Sequence, residues 1–187
     1  LVAWQDADGQ VWTQYVPAPY IFPAAAGDPE PVNHGPGASP RVAATWFGFL
    51  VTWIDGSRIY YRYGDPIEFL DPAAYVDTGC DLSAAVLDVH GIVTAGYNVA
   101  WVVFEVPGEG EAQRVMMLRL TKGQPQGPVM LAENTWYPAF PQVTALPGWP
   151  EPLARVYYVR ADFTLGYRSE VSYDKWDPEM VVPFEIY

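Results

Sequence analysis

Leu50-Val51-Thr52-Trp53-Ile54-Asp55-Gly56-Ser57-Arg58-Ile59-Tyr60-Tyr61-Arg62 reads as a β-hairpin: a β-branched and aromatic run, an Asp-Gly turn, and a second run of the same kind. Its first half recurs. Leu1-Val2-Ala3-Trp4-Gln5-Asp6 repeats Leu50-Val51-Thr52-Trp53-Ile54-Asp55, Asn98-Val99-Ala100-Trp101 echoes it, and Arg155-Val156-Tyr157-Tyr158 places Tyr where the others have Trp. Trp4, Trp53 and Trp101 fall 49 and then 48 residues apart. A period near ~50 residues with a fixed strand pattern is that of a propeller blade, a small sheet that buries its faces only when neighbours stack on it.

Outward from the Trp-bearing runs, each copy is followed by a second strand, at 10–16, 57–63, 113–120 and 166–173. Third strands are expected at 67–70, 128–131 and 180–186, with a weaker one at 20–23. Pro40-Arg41-Val42, Asp88-Val89 and Pro141-Gln142-Val143 mark the strand that opens the next unit. The expected fold is therefore an all-β propeller of about four four-stranded antiparallel blades, or a fragment of a larger propeller. The expected boundaries are 1–38, 39–85, 86–137 and 138–187, the first blade lacking its opening strand. The near-continuous apolar runs 50–54 and 99–104 should be covered on both faces. In the last copy, Tyr167, Ser169, Val171 and Tyr173 alternate with Arg168, Glu170 and Ser172, which predicts a half-exposed outer strand. Leu1 follows no initiator Met and no basic leader, which suggests an excerpt from a longer chain.

Half of the 187 residues are apolar, enough for a sizeable core, and 8 Trp, 13 Tyr and 8 Phe favour pleated strands. Nineteen Pro and sixteen Gly leave few windows long enough for a helix. The net charge is −12 and the first 40 residues hold no Lys or Arg, so nucleic-acid phosphate is not an expected partner. Cys80 stands alone and cannot form an internal disulfide, and the most apolar window, 42–54, is too short to span a membrane.

The stretch Thr52 to Arg62, with Pro66 and Phe69 after it, resembles the blade repeat of sialidase-like (BNR-type) propellers. It is also similar to propeller repeats of secreted adhesins and of phage tail or fibre proteins. That resemblance implies an extracellular or virion-surface module whose inter-blade loops bind a glycan or a protein partner, alone or in a larger assembly. The Ser-x-Asp-x-Gly-x-x-Trp box of sialidases occurs in no copy. A catalytic site of that family would need three arginines on a carboxylate, a Tyr nucleophile beside a Glu, and an acid/base Asp. Arg41, Arg62, Arg119 and Arg160 supply the residue type without a local motif, and arginines on strands are expected at the surface. An enzymatic fragment and a structural assembly module are therefore the alternatives to a binding module, and no catalytic residue is assigned.

No cofactor is expected, calcium being the one alternative that the acidic composition leaves open without a motif to support it. His34 and His90 lack ligand-spaced neighbours, so zinc is not indicated. Asp6-x-Asp8-Gly9 begins like a calcium loop, but Gln10 follows and the closing Glu is missing, so a tight turn capped by Asp6 is the better reading, with Asp55 its equivalent. The candidate ligand residues lie on two long loops and one connection: Asn33 and His34 in 23–40, Trp149 in 146–152, and Trp136. An exposed Trp can stack on a sugar or anchor a protein contact, whereas Trp4, Trp53 and Trp101 are expected between blades.

Overall fold

The computed structural model describes residues 1–14, 28–32, 37–45, 48–65, 72–82, 85–91, 99–108, 112–121, 124–136, 138–146, 152–172 and 175–182. These form four antiparallel sheets. The first comprises β1 (Val2–Gln5), β2 (Val11–Gln14) and β3 (Glu30–Pro31), in that order. The second is β4 (Ala38–Thr45), β5 (Gly48–Asp55), β6 (Arg58–Gly64) and β7 (Ala74–Asp77), and the third is β8 (Leu87–Gly91), β9 (Val99–Pro107), β10 (Gln113–Thr121) and β11 (Gln124–Thr135). The fourth is β12 (Gln142–Leu146), β13 (Leu153–Val159), β14 (Leu165–Ser172) and β15 (Lys175–Trp176), with β16 (Met180–Val181) also on β14. Each sheet is a meander, and β4, β8 and β12 lie side by side along the inner edge. There Asp88 on β8 accepts the Val143 N–H of β12 at 3.0 Å. Gly91 on β8 meets β4 so closely that a Cβ would stand 2.2 Å from the Ala44 carbonyl oxygen. Radially arranged four-stranded meanders with their first strands innermost make a β-propeller.

The expected outer strand at 128–131 falls within β11, whereas the outer strands of the other blades depart from expectation. The strand that pairs with β6 is Ala74–Asp77, whereas the expected positions 67–70 and 20–23 lie outside the described residues. In the last blade the outer strand begins earlier than expected, as β15, and resumes as β16.

Three apolar clusters fill the spaces between successive sheets. Leu1, Ala3, Val11 and Val32 pack against Val51, Trp53 and Tyr60; Leu50, Ile54, Ile59 and Tyr61 against Ala100, Val102 and Phe104; and Val99, Trp101, Val103 and Met117 against Ala154, Val156 and Tyr158. Burying a Trp removes ~150–250 Å² from water, so Trp53 and Trp101, at 2% and 0% exposure, each contribute on the order of 4–6 kcal/mol before entropy is charged.

The clusters also correct the repeat. Trp53 faces the preceding blade, whereas Trp101 faces the following one. Because side chains alternate along a strand, the two tryptophans differ by one residue in structural register, and Tyr158 is the residue that shares the orientation of Trp53. Opposite Trp101 on the neighbouring strand stands Arg119, 2% exposed, with its guanidinium 5.8 Å from the indole. Its Nη1 donates to Glu170 of the next blade at 3.0 Å. Arg119 is thus buried rather than at the surface as expected. On β14 the alternation is inverted with respect to hydrophobicity: Glu170 is buried against the third blade while Val171 is 49% exposed. A charge-paired Arg and Glu can occupy an interface that a lone charge cannot.

Candidate functional site

Strand direction decides which loops share a face. In an antiparallel meander the turn between second and third strands lies at the same end as the crossover into the next blade. The hydrogen bonds agree: Gly37 N–H donates to Gly9 O at 2.7 Å and Leu82 N–H to Gly56 O at 3.1 Å, each joining a crossover to a hairpin turn. Asp6 caps the first of these turns, accepting the Asp8 and Gln10 N–H groups at 3.0 and 2.9 Å and the Trp12 indole N–H at 2.7 Å. Those bonds, the indole first, hold its carboxyl below the usual carboxylate range. Among the described residues no group of three or more His, Cys, Asp or Glu is placed to hold a metal ion.

Where the third and fourth blades meet on this face, Trp136 and Phe163 form an open aromatic platform. Their ring centroids are 4.3 Å apart at 47°, and the residues are 44% and 67% exposed. Trp136 sits in the crossover after β11, and Phe163 at the apex of the β13–β14 turn with φ of 63°. A left-handed backbone at a Phe is uncommon, and here it puts the ring outside the turn. Asp162 fixes that turn by accepting the Thr164 N–H and hydroxyl at 3.1 and 2.6 Å, the hydroxyl foremost in holding the carboxyl below its ordinary value. The Trp136 N–H donates to Val159 O at 3.3 Å, and the Val159 N–H to Ala139 O at 2.8 Å. Beneath the crossover, buried Glu105 accepts the Ala139 N–H at 2.7 Å and the Val86 N–H at 3.1 Å. Burial pushes the Glu105 carboxyl above its ordinary value against those two bonds.

Along the flank of the same junction runs a cleft of about 360 Å³, lined by Met130 to Glu133 of β11 together with Tyr158, Arg168 and Glu179. The Tyr158 hydroxyl donates to Glu179 at 2.8 Å, and Arg160 Nε lies 3.4 Å from the same carboxylate. Arg160 also bonds Asp162 at 2.8 Å and Thr164 at 3.0 Å, which ties the cleft to the turn bearing Phe163. Arg168 donates to Leu131 O and to Asp177 O, both at 2.9 Å. Apolar edge, aromatic plate and a few fixed polar groups are the usual ingredients of a small-ligand site.

A Tyr beside a Glu among arginines invites a nucleophilic reading. Burial, and then the Glu179 carboxylate, push the Tyr158 phenol above its ordinary value, which opposes formation of the phenolate such chemistry needs. Of the residues singled out in the sequence, Trp136 lies at this junction; Asn33, His34 and Trp149 lie outside the described residues. Phe163, Tyr158, Arg168 and Glu179 were not singled out. The one sequence signal among them is a Phe at the turn position where the first two copies carry Asp-Gly.

No family model matches the chain, and no curated protein matches it in sequence. Among solved structures it matches a six-bladed β-propeller, the fungal lectin of Aleuria aurantia, described for its mode of fucose recognition. The TM-score is 0.56 at 11% identity, over 97% of this chain. The chain spans 57% of that lectin's length. At this identity the likeness carries the propeller fold.

Proposed function

We propose that this chain is a carbohydrate-binding propeller module whose site is the junction of its third and fourth blades. The observation that carries the reading is the Trp136–Phe163 platform, two large exposed rings held by a capped turn beside a cleft with fixed polar groups. Pyranose rings present C–H faces that stack on aromatic planes and hydroxyls that need directed partners; Glu179 and Glu133 supply those partners. The propeller lectin supports the reading by showing that this architecture can serve sugar recognition. An extracellular or virion-surface setting, with binding rather than catalysis as the role, belongs to the same proposal and is supported by the blade resemblance.

The test is a glycan array followed by titration calorimetry on the strongest hit. Trp136→Ala and Phe163→Ala are each expected to weaken binding about tenfold or more, a stacking loss of ~1–2 kcal/mol, while leaving the melting temperature nearly unchanged. Retention of full affinity in both variants would remove the platform from the site. The Tyr158–Glu179 contact keeps a hydrolytic second reading alive. Release of methylumbelliferone from aryl glycosides that ceases in Tyr158→Phe would establish it, and no release by the parent chain would end it.

A further inference from the structure

We infer that the ligand of this junction is a glycan bearing free amino groups, such as a de-N-acetylated amino-sugar oligomer. The inference rests on the carbohydrate reading above and narrows it. It follows from which polar groups the protein has already used. Arg160 is committed to Asp162, Thr164 and Glu179, and Arg168 to two backbone carbonyls through Nε and Nη1. The Tyr158 proton is directed at Glu179. The donors of the cleft are thus largely turned inward onto the protein, and the side chains with acceptor capacity left for a ligand are carboxylates. Glu179 accepts from Tyr158 and Arg160 on one oxygen and keeps the other, and Glu133 is exposed, whereas both oxygens of Asp162 are engaged by Thr164 and Arg160.

A ligand for such a site must bring donors. Hydroxyls would serve, their bonds to a carboxylate being charge-assisted already, but an ammonium group adds the attraction of opposite charges at hydrogen-bond distance. It also gains from the face of an exposed Trp, by ~0.5–1 kcal/mol. Charge acts in the same direction at longer range, since three carboxylates face two guanidinium groups here and the whole chain carries −12. A sugar with a carboxylate or sulfate would be repelled before it reached the cleft.

The experiment is calorimetry of the full chain with three oligomers of equal length: β-1,4-linked glucosamine, its fully N-acetylated counterpart, and oligogalacturonate. The expected result is at least tenfold tighter binding of the glucosamine oligomer than of the acetylated one, with no binding of the acid. The preference should collapse in Glu133→Gln/Glu179→Gln and binding should weaken strongly in Trp136→Ala, a variant that keeps the net charge. Equal or tighter binding of the acetylated oligomer, lost in Trp136→Ala, would overturn the amino-group inference and leave the carbohydrate reading standing. Glucosamine binding undiminished in Trp136→Ala would mean diffuse attraction to an acidic protein and would also overturn it. Absence of binding to all three, together with an empty glycan array, would bring down the carbohydrate reading and the inference with it.

Discussion

Glu170→Ala should be among the most destabilising substitutions in the chain, although it removes a charged residue from a strand. The Glu170 side chain is 0% exposed, its Oε1 accepts from Arg119 at 3.0 Å, and its Oε2 accepts the Ala154 N–H at 3.1 Å. Truncation leaves the Arg119 charge in an interface where its own side chain is 2% exposed, and also orphans the Ala154 amide. Breaking a buried pair from one side costs about 3–5 kcal/mol. For a chain of this length that corresponds to a fall of roughly 6–20 °C in melting temperature. Arg119→Met/Glu170→Leu removes both charges and keeps the volume, so only the orphaned amide should remain, at about 1–3 kcal/mol. The assay is urea unfolding followed by Trp fluorescence, to which Trp101 and Trp176 beside the pair contribute, with circular dichroism as the second probe. A cost below about 1 kcal/mol for Glu170→Ala, or a double variant as unstable as the sum of its parts, would refute the claim that the third and fourth blades are joined by a desolvated ion pair.

Trp53→Ala should cost about 3–5 kcal/mol in the same assay, since the indole is 2% exposed and stacked on Tyr60 at 5.5 Å. Gly91→Ala drives a Cβ to 2.2 Å from the Ala44 carbonyl oxygen, so the inner strands must part; a loss of about 1–3 kcal/mol is expected, and an unchanged melt would count against the observed packing of β4 on β8. Burial raises the Glu105 carboxyl above its ordinary 4.5, so in that window the folded chain holds more protons than the unfolded one. That group's effect on stability therefore declines as the pH rises above 4.5, and Glu105→Gln should remove this component from the pH dependence of melting on the alkaline side of that value. Asp6, Asp77 and Asp162 have the opposite sign, for their carboxyls are held below the ordinary 3.8 and their contribution is lost only as the pH falls beneath it.

What could be read from the sequence, and what could not, divides along the range of the forces involved. The Asp-Gly hairpin, the Trp-bearing runs and the inner strands opened by Pro or Asp are local patterns, and β5, β6, β9 and β10 lie where turn chemistry and apolar runs placed them. Outside the third blade, where β11 covers the expected 128–131, the outer strands are not local in this sense: β7, β15 and β16 are two to four residues long and are fixed by pairing with an existing edge, which no propensity announces. Of the candidate site, only Trp136 was singled out in the sequence. Its other members come from β11, β13, β14 and the chain before β16, and what unites them is the angle between two blades.

Register shows the same limit more sharply. Aligning Trp101 with Trp53 gives the right period and the wrong face, because a shift of one residue leaves the spacing almost unaltered yet turns every side chain to the other side of the sheet. The third blade can accept that shift because β9 is apolar on both faces, Ala100, Val102 and Phe104 toward one neighbour and Val99, Trp101 and Val103 toward the other. With no polar side to betray the register, Trp101 is free to lie opposite Arg119, whose guanidinium reaches Glu170 across the junction. The buried pair follows from that placement: an arginine opposite an inward indole must find its counter-charge in the next blade, and Glu170 is the acid that β14 turns inward. The same parity puts Arg168, two residues earlier on β14, on the inward face as well, where it lines the cleft. The inverted alternation that hid Glu170 in the sequence is thus also what equips the third–fourth junction, through a single choice of register, with both its ion pair and the guanidinium that ties β14 to Leu131 O at the wall of the cleft.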